Sequence, residues 1–298
     1  MKGRSIPGYA ILLIVTLQGI CVHAQEGKLR LSFSTGYQQE GLHWSIAGNS
    51  NGQSPNVYSE LIWKRTGGPS LYAGLQWQVW KRWTFFAQGS RVFITQGTVS
   101  DMDYQGDNRT DAVYREQFDS DKGSSADWSA GLGWELLRSR NFRLTPAIGY
   151  GISYQSFFLV DHSSGFGALN SSYRTQWRGP FGRIGSELRL TGRWTLAAEV
   201  SYSQVDYSAR ADWNLIPTFS HPVSFRHRAE GYGIDMHAAL QYHLNPHLLL
   251  HLGGGGFTRQ TGTGTDRLYL VSGQTDATQL NGVGTDGIRW TGGLKFIL

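Results

Sequence analysis

The sequence predicts an all-β protein, a ten-stranded antiparallel transmembrane β-barrel. Aromatic residues form 13% of the 298-residue chain and charged residues only 16%, whereas ~25% charged residues is usual in soluble domains. The chain contains 39 glycines but only 8 prolines. Beyond the N-terminal region, no apolar run approaches the ~20 residues that a spanning helix needs. In a barrel the apolar residues are instead spread one in two along the strands, which fits these observations. A secreted β-sandwich is the competing class.

Alternation with a period of two is clearest in residues 142–154, 194–203 and 288–298. In 142–154 every even position is apolar or aromatic, and every odd position is small, polar or charged. A period of two indicates a strand whose two faces meet different surroundings. These strands match the ~9–11 residues that an outer-membrane strand needs. The chain also ends in TGGLKFIL, which resembles the C-terminal strand signal of outer-membrane barrels. Together these features favour the barrel over the sandwich.

Ten segments are predicted as strands, an even number, as in single-chain bacterial barrels. They are 28–38, 56–80, 83–99, 114–138, 142–159, 172–191, 194–210, 223–244, 247–261 and 286–298. The long links between them are 39–55, 100–113, 160–171, 211–222 and 262–285. Because outer-membrane barrels have short periplasmic turns and long outer loops, both termini are predicted to face the periplasm. The Gly- and Thr-rich link 262–285 is predicted to be a mobile surface loop.

Residues 1–24 are predicted to be a secretory signal peptide, and residues 25–298 the barrel domain. The start is basic, an apolar core follows, and small residues precede the predicted cleavage after Ala24. The only cysteine, Cys21, lies inside this peptide. A lipoprotein anchor at Cys21 is the less favoured alternative. The mature chain is therefore expected to have neither a disulfide nor a cysteine-based metal site. Its predicted location is the outer membrane of a Gram-negative bacterium.

Several segments of the chain match one known pattern. These are NVYSELIWK (56–64), SYRTQWRGPFGRIGSELRL (172–190) and the final TGGLKFIL. After the third predicted strand comes Asp101-Met-Asp103-Tyr104, an Asp-x-Asp motif before an aromatic residue. With these segments the chain resembles the omptin family of outer-membrane proteases over nearly its whole mature length. The resemblance implies an aspartic-type endopeptidase that acts on a peptide or protein at the cell surface.

In that family the acid pair lies opposite an Asp-x-His pair on the fourth outer loop, and both hold the attacking water. The resemblance places Asp101 and Asp103 in the first pair, and Asp212 and Asn214 in the second. Two close carboxylates cannot both ionise freely, so one of them holds a proton. A histidine near neutral pKa takes the proton of the water. Asn214 stands at the histidine's position, and its amide has no titratable nitrogen.

The family's pocket for a basic substrate side chain also departs from its pattern here. Arg210 stands where the family has an acid, two residues before Asp212, and would repel a substrate Arg or Lys. Glu40 is the only acid in link 39–55, where the family has a pocket glutamate.

Three interpretations of the site remain open. In the favoured one the active site is degenerate, and the acid pair is a relic or a ligand contact. In the second the acid pair works alone, as in aspartic proteases, with Asn214 positioning the water. In the third His221, His227 or His162 replaces the missing base, although each is more often a solvated rim residue.

Lipopolysaccharide is the predicted membrane partner, because the resemblance implies binding of this lipid, with a role as an activating lipid. No other cofactor is expected. Arginine is a good bidentate partner for phosphate, and six arginines are candidates: Arg174, Arg178, Arg183, Arg189, Arg226 and Arg228. The net charge is +5, but no basic patch with a suitable module is visible, so nucleic acid is not an expected partner.

Two further classes of function are not favoured. His243, His247 and His251 would suit Zn or Cu, but no carboxylate or cysteine supports them, and interfacial polar residues are the favoured interpretation. An open aqueous channel needs ~16 strands. In a ten-stranded barrel, side chains such as those of Arg143, Glu199 and Lys295 are predicted to fill most of the lumen.

Overall fold

The computed structural model describes residues 29–163 and 165–298, so the predicted signal peptide lies outside the described residues. The described chain forms fourteen strands and one short 3-10 helix, Asp107–Arg109. The strands are β1 Leu29–Ile46, β2 Ser59–Trp80, β3 Trp83–Phe93, β4 Gln96–Gly106, β5 Thr110–Asp119, β6 Gly123–Trp134, β7 Leu137–Arg138, β8 Phe142–Val160, β9 Asn170–Arg189, β10 Trp194–Asp212, β11 Phe225–Asn245, β12 Leu248–Thr261, β13 Gly264–Tyr269 and β14 Thr275–Ile297. Within this part of the chain, no helix is long and apolar enough to cross a membrane.

The strands form one closed antiparallel wall, since β1 pairs with both β14 and β2. Three positions in the wall are each occupied by two successive strands: β3 with β4, β5 with β6, and β12 with β13. The short β7 continues the position of β6 alongside β8. The ring therefore counts ten strand positions, which confirms the predicted ten-stranded antiparallel barrel.

The strands extend further at their outer ends than the sequence predicted. β1 continues to Ile46, and residues 100–113 form most of a β4–β5 hairpin instead of a loop. The prediction of a mobile loop over 262–285 was wrong, because β13 and the start of β14 pair there. Leu280 and Val283 are buried in this segment. Glycines and threonines conceal the alternation, but two inward apolar residues and a full ladder of backbone hydrogen bonds hold these strands in the wall.

Outward-facing residues form an apolar band near the periplasmic turns. Ile148, Leu252 and Trp290 are 72%, 72% and 64% exposed in this band. Exposed aromatic residues border it, namely Tyr37, Tyr154, Tyr202 and Tyr232 on the outer side and Trp80, Trp83 and Trp194 on the periplasmic side. An apolar band between two aromatic girdles is how a barrel meets a bilayer. We call the part of the barrel beyond the outer tyrosines the outer half.

The lumen of the outer half is filled by a buried aromatic core. Trp63 stacks on Tyr173 with ring centroids 5.3 Å apart, and Trp177 lies 4.4 Å from Tyr207. Phe157 is fully buried against Trp63. These side chains meet across the barrel, so the upper lumen is packed in the way that a protein interior is packed.

Below the core, the lumen holds a polar cavity of about 630 Å³. Arg143, Glu199 and Lys295 line it, as the sequence predicted. They do not fill it, because ion pairs hold the charged side chains against the wall. These pairs include Arg143 with Glu187, Arg183 with Glu199, and Arg289 with Asp235.

A break in the wall separates the membrane-level strand β3 from β4. Gly97 has a φ of 144°, and a Cβ at this position would lie 2.8 Å from the carbonyl oxygen of Ser120. Only glycine fits such a conformation readily. Beyond the break, β5 pairs with β8 at a single position, Asp119 opposite Val160. The β4–β5 hairpin therefore stands partly free of the wall at the outer end of the barrel.

Replacing Trp63 by alanine is expected to loosen the outer half while the membrane-level barrel persists. Loss of a fully buried tryptophan typically costs ~3–5 kcal/mol. We expect rapid cleavage of the outer half by limited proteolysis, while the heat-modifiable gel band of the folded barrel is kept. The control is Tyr58→Ala, since Tyr58 is 47% exposed. Equal protease resistance of Trp63→Ala and the control would contradict a stabilising outer core.

Candidate active site

The acid pair lies on the lumen face of β4. Val99, two residues before Asp101, is fully buried in the aromatic core, so alternation also points Asp101 and Asp103 inward. Asp101 is opposite Leu61 of β2 and Glu116 of β5. The pair therefore lies at the top of the core, and the hairpin carries a third carboxylate beside it.

The surroundings of Asp101 favour its protonated form. The residue is only 8% exposed, and its carboxyl makes no hydrogen bond or ion pair within the described chain. Burial, and then the charge of Asp103, raises the pKa of Asp101 to about 7. Burial also raises the pKa of Asp103, against a hydrogen bond from Ser59 that lowers it. Near neutral pH the pair can thus hold one proton and act as both donor and acceptor.

Two residues of β5 that the sequence did not single out, Tyr114 and Glu116, also belong to this site. Tyr114 is opposite Asp103, and burial together with the neighbouring acids raises its pKa to about 12. Both residues share the parity of Phe118, whose side chain is in the core. That parity within the predicted strand 114–138 was the available signal, but the acid pair was predicted to lie in the loop before this strand, so no pairing between them was expected.

Asp212 lies at the end of β10 and faces away from the lumen. The inward positions of this strand are Tyr207, Ala209 and Ala211, which are all buried in the core, so their even-numbered neighbours point outward. Asp212 Oδ1 lies 2.6 Å from His221 Nδ1. His221, one of the three alternative bases, is therefore engaged with Asp212 on the side away from the acid pair.

Asn214 is held by the start of β9 and by the link that precedes it. Its side-chain oxygen accepts hydrogen bonds from the Asn170 backbone N–H and the Ser171 hydroxyl, at 2.9 and 3.0 Å. Its side-chain nitrogen donates to the carbonyl oxygen of Ala168 at 2.7 Å. The amide thus joins a loop to the end of β10.

The structure brings the four predicted catalytic residues together only as two separate groups. Asp101 and Asp103 share the lumen face of β4, whereas Asp212 and Asn214 lie at the end of β10. Three strand positions, occupied by β5, β8 and β9, separate them along the wall. Within the described residues, no hydrogen bond or ion pair connects the two groups. Their catalytic roles stay predictions.

The other two candidate histidines differ sharply in exposure. His162 is exposed, and a hydrogen bond with Asp121 raises its pKa. His227 is fully buried, with Nδ1 2.7 Å from the Tyr173 hydroxyl. Its Nε2 lies 3.2 Å from Asp266 Oδ1, although the two atoms are not aligned for a hydrogen bond. Asp266 was not identified from the sequence, because only the β11–β13 pairing places it opposite His227.

Glu40 is not a rim residue, contrary to its place in a predicted loop. It is buried in the lumen, where the Ser125 hydroxyl and the Gln155 amide donate hydrogen bonds to its carboxylate. Arg210 shares the outward parity of Asp212 and is exposed. Neither residue therefore lines a pocket beside the acid pair.

The three histidines near the Asn245–Pro246 turn take separate partners. His243 contacts Thr195, His247 contacts the Ile297 carbonyl, and His251 contacts Ser34. Over residues 29–163 and 165–298, no group of three or more His, Cys, Asp or Glu side chains is placed to hold a metal ion.

A family of outer-membrane proteins matches most of the chain. The family described as Pom, Protochlamydia outer membrane protein, covers residues 32–293. The chain belongs to this family. This Pom-family protein lies in the outer membrane, as the sequence predicted. No curated protein matches the chain significantly.

Among solved structures, the outer membrane protease OmpT from Escherichia coli is similar, with a TM-score of 0.70 and 14% identity over 91% of this chain and 96% of its own. The translocator domain of autotransporter NalP from Neisseria meningitidis covers 93% and 90% of the two chains, with 12% identity and a TM-score of 0.41. The likeness to OmpT confirms the predicted omptin-like barrel. At this identity it extends to the fold alone.

Replacing Asp101 by asparagine is expected to change how stability depends on pH. The wild-type carboxyl ionises near pH 3.8 in the unfolded chain and at about 7 in the folded one. The folded state therefore binds more protons between these values, so wild-type stability falls as the pH rises through this window. The difference corresponds to on the order of 4 kcal/mol, and Asp101→Asn should lack this fall.

Urea unfolding of the refolded barrel at pH 4 to 8 measures this effect. The exposed, outward-facing Asp206 on β10 provides the control substitution, Asp206→Asn. Identical pH profiles for the wild type and Asp101→Asn would show that the buried carboxyl does not titrate as described.

Proposed function

We propose that this Pom-family barrel is an omptin-like surface protein whose peptidase site is degenerate and which acts by binding at its outer half. The observation that supports this most is the inward face of β10. There Ala209 and Ala211 occupy the lumen positions, while Asp212 points outward towards His221. No titratable side chain of β10 faces the acid pair at this level.

Peptide hydrolysis by such a site needs a base that activates water. Loss of a positioned general base costs ~10²–10⁴ in rate, and Asn214, with its amide engaged by Ala168 and Ser171, offers no replacement. The aromatic core also occupies the lumen directly below Asp101, so a substrate has access only from the outer rim. The same core closes the outer half of the lumen, so the proposal does not include a general diffusion channel.

A second candidate is a peptidase that uses the acid pair alone. The pKa of Asp101, about 7, is the observation that favours it. Two carboxylates that share a proton are the working unit of aspartic proteases. Both candidates place the acid pair at the rim, and they differ in whether it turns over substrate.

Peptide cleavage separates the two candidates. The refolded barrel, supplied with lipopolysaccharide, is incubated with a broad peptide library beside Asp101→Asn and Asn214→His variants. We expect no cleavage by any of the three, because a histidine at position 214 would face the β8–β9 link and not the acid pair. Cleavage by the wild type that Asp101→Asn abolishes would establish the second candidate. Activity gained only in Asn214→His would show that position 214 reaches the acid pair after all.

Lipopolysaccharide is proposed as the lipid partner, with Arg178 and Arg228 as phosphate contacts. Both side chains face outward about four residues beyond the tyrosine girdle. Arg178 is opposite Asp206, which lies four residues from Tyr202 along β10. Arg228 lies four residues from Tyr232 along β11. At ~3.3 Å per residue and a strand tilt of ~40°, this is ~10 Å above the girdle, close to the lipid phosphates. Of the other candidates, Arg183 faces the lumen and pairs with Glu199.

The double variant Arg178→Ala with Arg228→Ala is expected to bind lipopolysaccharide about 10-fold more weakly, since two charge-assisted contacts are lost. Binding is measured on the barrel in phosphatidylcholine nanodiscs by titration with lipopolysaccharide. The control, Arg140→Ala with Arg189→Ala, removes the same charge at the periplasmic end. Equal affinity of the two double variants would exclude Arg178 and Arg228 as the contacts.

A further inference from the structure

Four arginines stand directly opposite one another on four neighbouring strands of the outer half. Arg174 of β9 is opposite Arg210 of β10, Arg210 is opposite Arg226 of β11, and Arg226 is opposite Arg267 of β13. Residues paired in this way lie on the same face of a sheet. We call these four residues the arginine row. With strands ~4.8 Å apart, the row is ~14 Å long.

The arginine row faces the surroundings of the barrel. All four residues are exposed, and their neighbours along each strand, such as Tyr173 and Phe225, are buried in the core. None of the four guanidinium groups forms an ion pair with a described residue. The nearest outward acid, Asp212, is bound by His221. The row is therefore a line of uncompensated positive charge.

Such an arrangement destabilises the isolated barrel. Like charges directly opposite on paired strands repel one another and are destabilising. Three such pairs in sequence are unlike the rest of the barrel, where lumen arginines such as Arg183 and Arg289 each have a carboxylate partner. A bound polyanion would remove the repulsion and supply bidentate partners for the guanidinium groups.

The arginine row lies beyond the level proposed for the lipid phosphates. Tyr202 of the outer girdle lies eight residues from Arg210 along β10, and Tyr232 lies six residues from Arg226 along β11. At ~3.3 Å per residue and a tilt of ~40°, the row is ~15–20 Å above the girdle. The row therefore lies ~5–10 Å farther out than Arg178 and Arg228, the proposed contacts of the lipid phosphates, which favours a ligand from outside the membrane.

The neighbours of the row indicate which polyanion it suits. The outward positions around it carry Ser156, Gln176, Ser208 and Thr265. These are small hydrogen-bonding groups suited to sugar hydroxyls. Single-stranded nucleic acid is instead bound by aromatic platforms between basic residues. Within the described chain, the four guanidinium groups have a single ring contact, that of Arg226 over Tyr269 at 5.9 Å.

We propose that the arginine row is a binding site for an extracellular sulfated glycan, a linear polysaccharide whose sulfate groups contact successive guanidinium groups. Rows of basic residues attract such chains through the field they create. The inference goes beyond the proposed function, because it applies whether or not the acid pair hydrolyses peptides.

The test uses the barrel in phosphatidylcholine nanodiscs and size-defined heparin oligosaccharides as the probe, with affinity measured by surface plasmon resonance. The wild type is expected to bind at physiological ionic strength, with an affinity that falls as salt rises. Arg210→Ala with Arg226→Ala, in the middle of the row, is expected to weaken binding at least ~10-fold. Arg210→Lys with Arg226→Lys keeps the charge but loses bidentate contact. Its affinity for heparin should therefore lie between that of the wild type and that of the double alanine variant.

The control is Arg140→Ala with Arg189→Ala, which removes the same charge at the periplasmic end and should bind heparin within about 2-fold of the wild type. Gel mobility of the unheated barrel confirms that each variant is folded. Absence of wild-type binding, or an equal loss in the control, would overturn the proposal. Equal affinity for single-stranded DNA of the same charge would also overturn it, because the site would then select charge alone and not a glycan.

Discussion

Hydrogen bonding between the first and last strands closes the wall, from Arg30 opposite Ile297 to Ile46 opposite Leu280. A closed antiparallel wall leaves no free strand edge at membrane level, and its side chains must alternate between lumen and surroundings. The side on which a residue acts is then set by its parity along the strand. This constraint places Asp101 and Asp103 inside, and it places Arg210 and Asp212 outside.

The break at Gly97 determines where the acid pair stands. Below it β3 is part of the membrane-level ring, and above it β4 and β5 form a hairpin that meets β8 only at Asp119. The inward face of this hairpin rests on the aromatic core at Val99 and Phe118. Asp101 is therefore desolvated from below and accessible only from the rim, which explains its raised pKa without any charged partner other than Asp103.

The period of two was sufficient to predict the ten strand positions of the barrel. It failed over 262–285, where glycine and threonine carry too little contrast in hydropathy to mark two faces. The acid pair could be located from the sequence because it follows a clear strand. The orientation of Asp212 could not, since a shift of one residue in register turns a side chain to the other face. The arginine row depends on the registers of four strands, which no single segment encodes.

The aromatic core outside the bilayer divides the barrel into two coupled thermodynamic units. At membrane level the lumen is polar and the apolar surface faces lipid, so the lipid sets the stability of that unit. In the outer half Trp63 and Tyr173 are withdrawn from water, so the hydrophobic effect sets the stability there. The order of assembly follows from this division. The strands that carry Trp63 and Tyr173 also form the membrane-level wall, so the outer core can pack only after these strands have crossed the membrane.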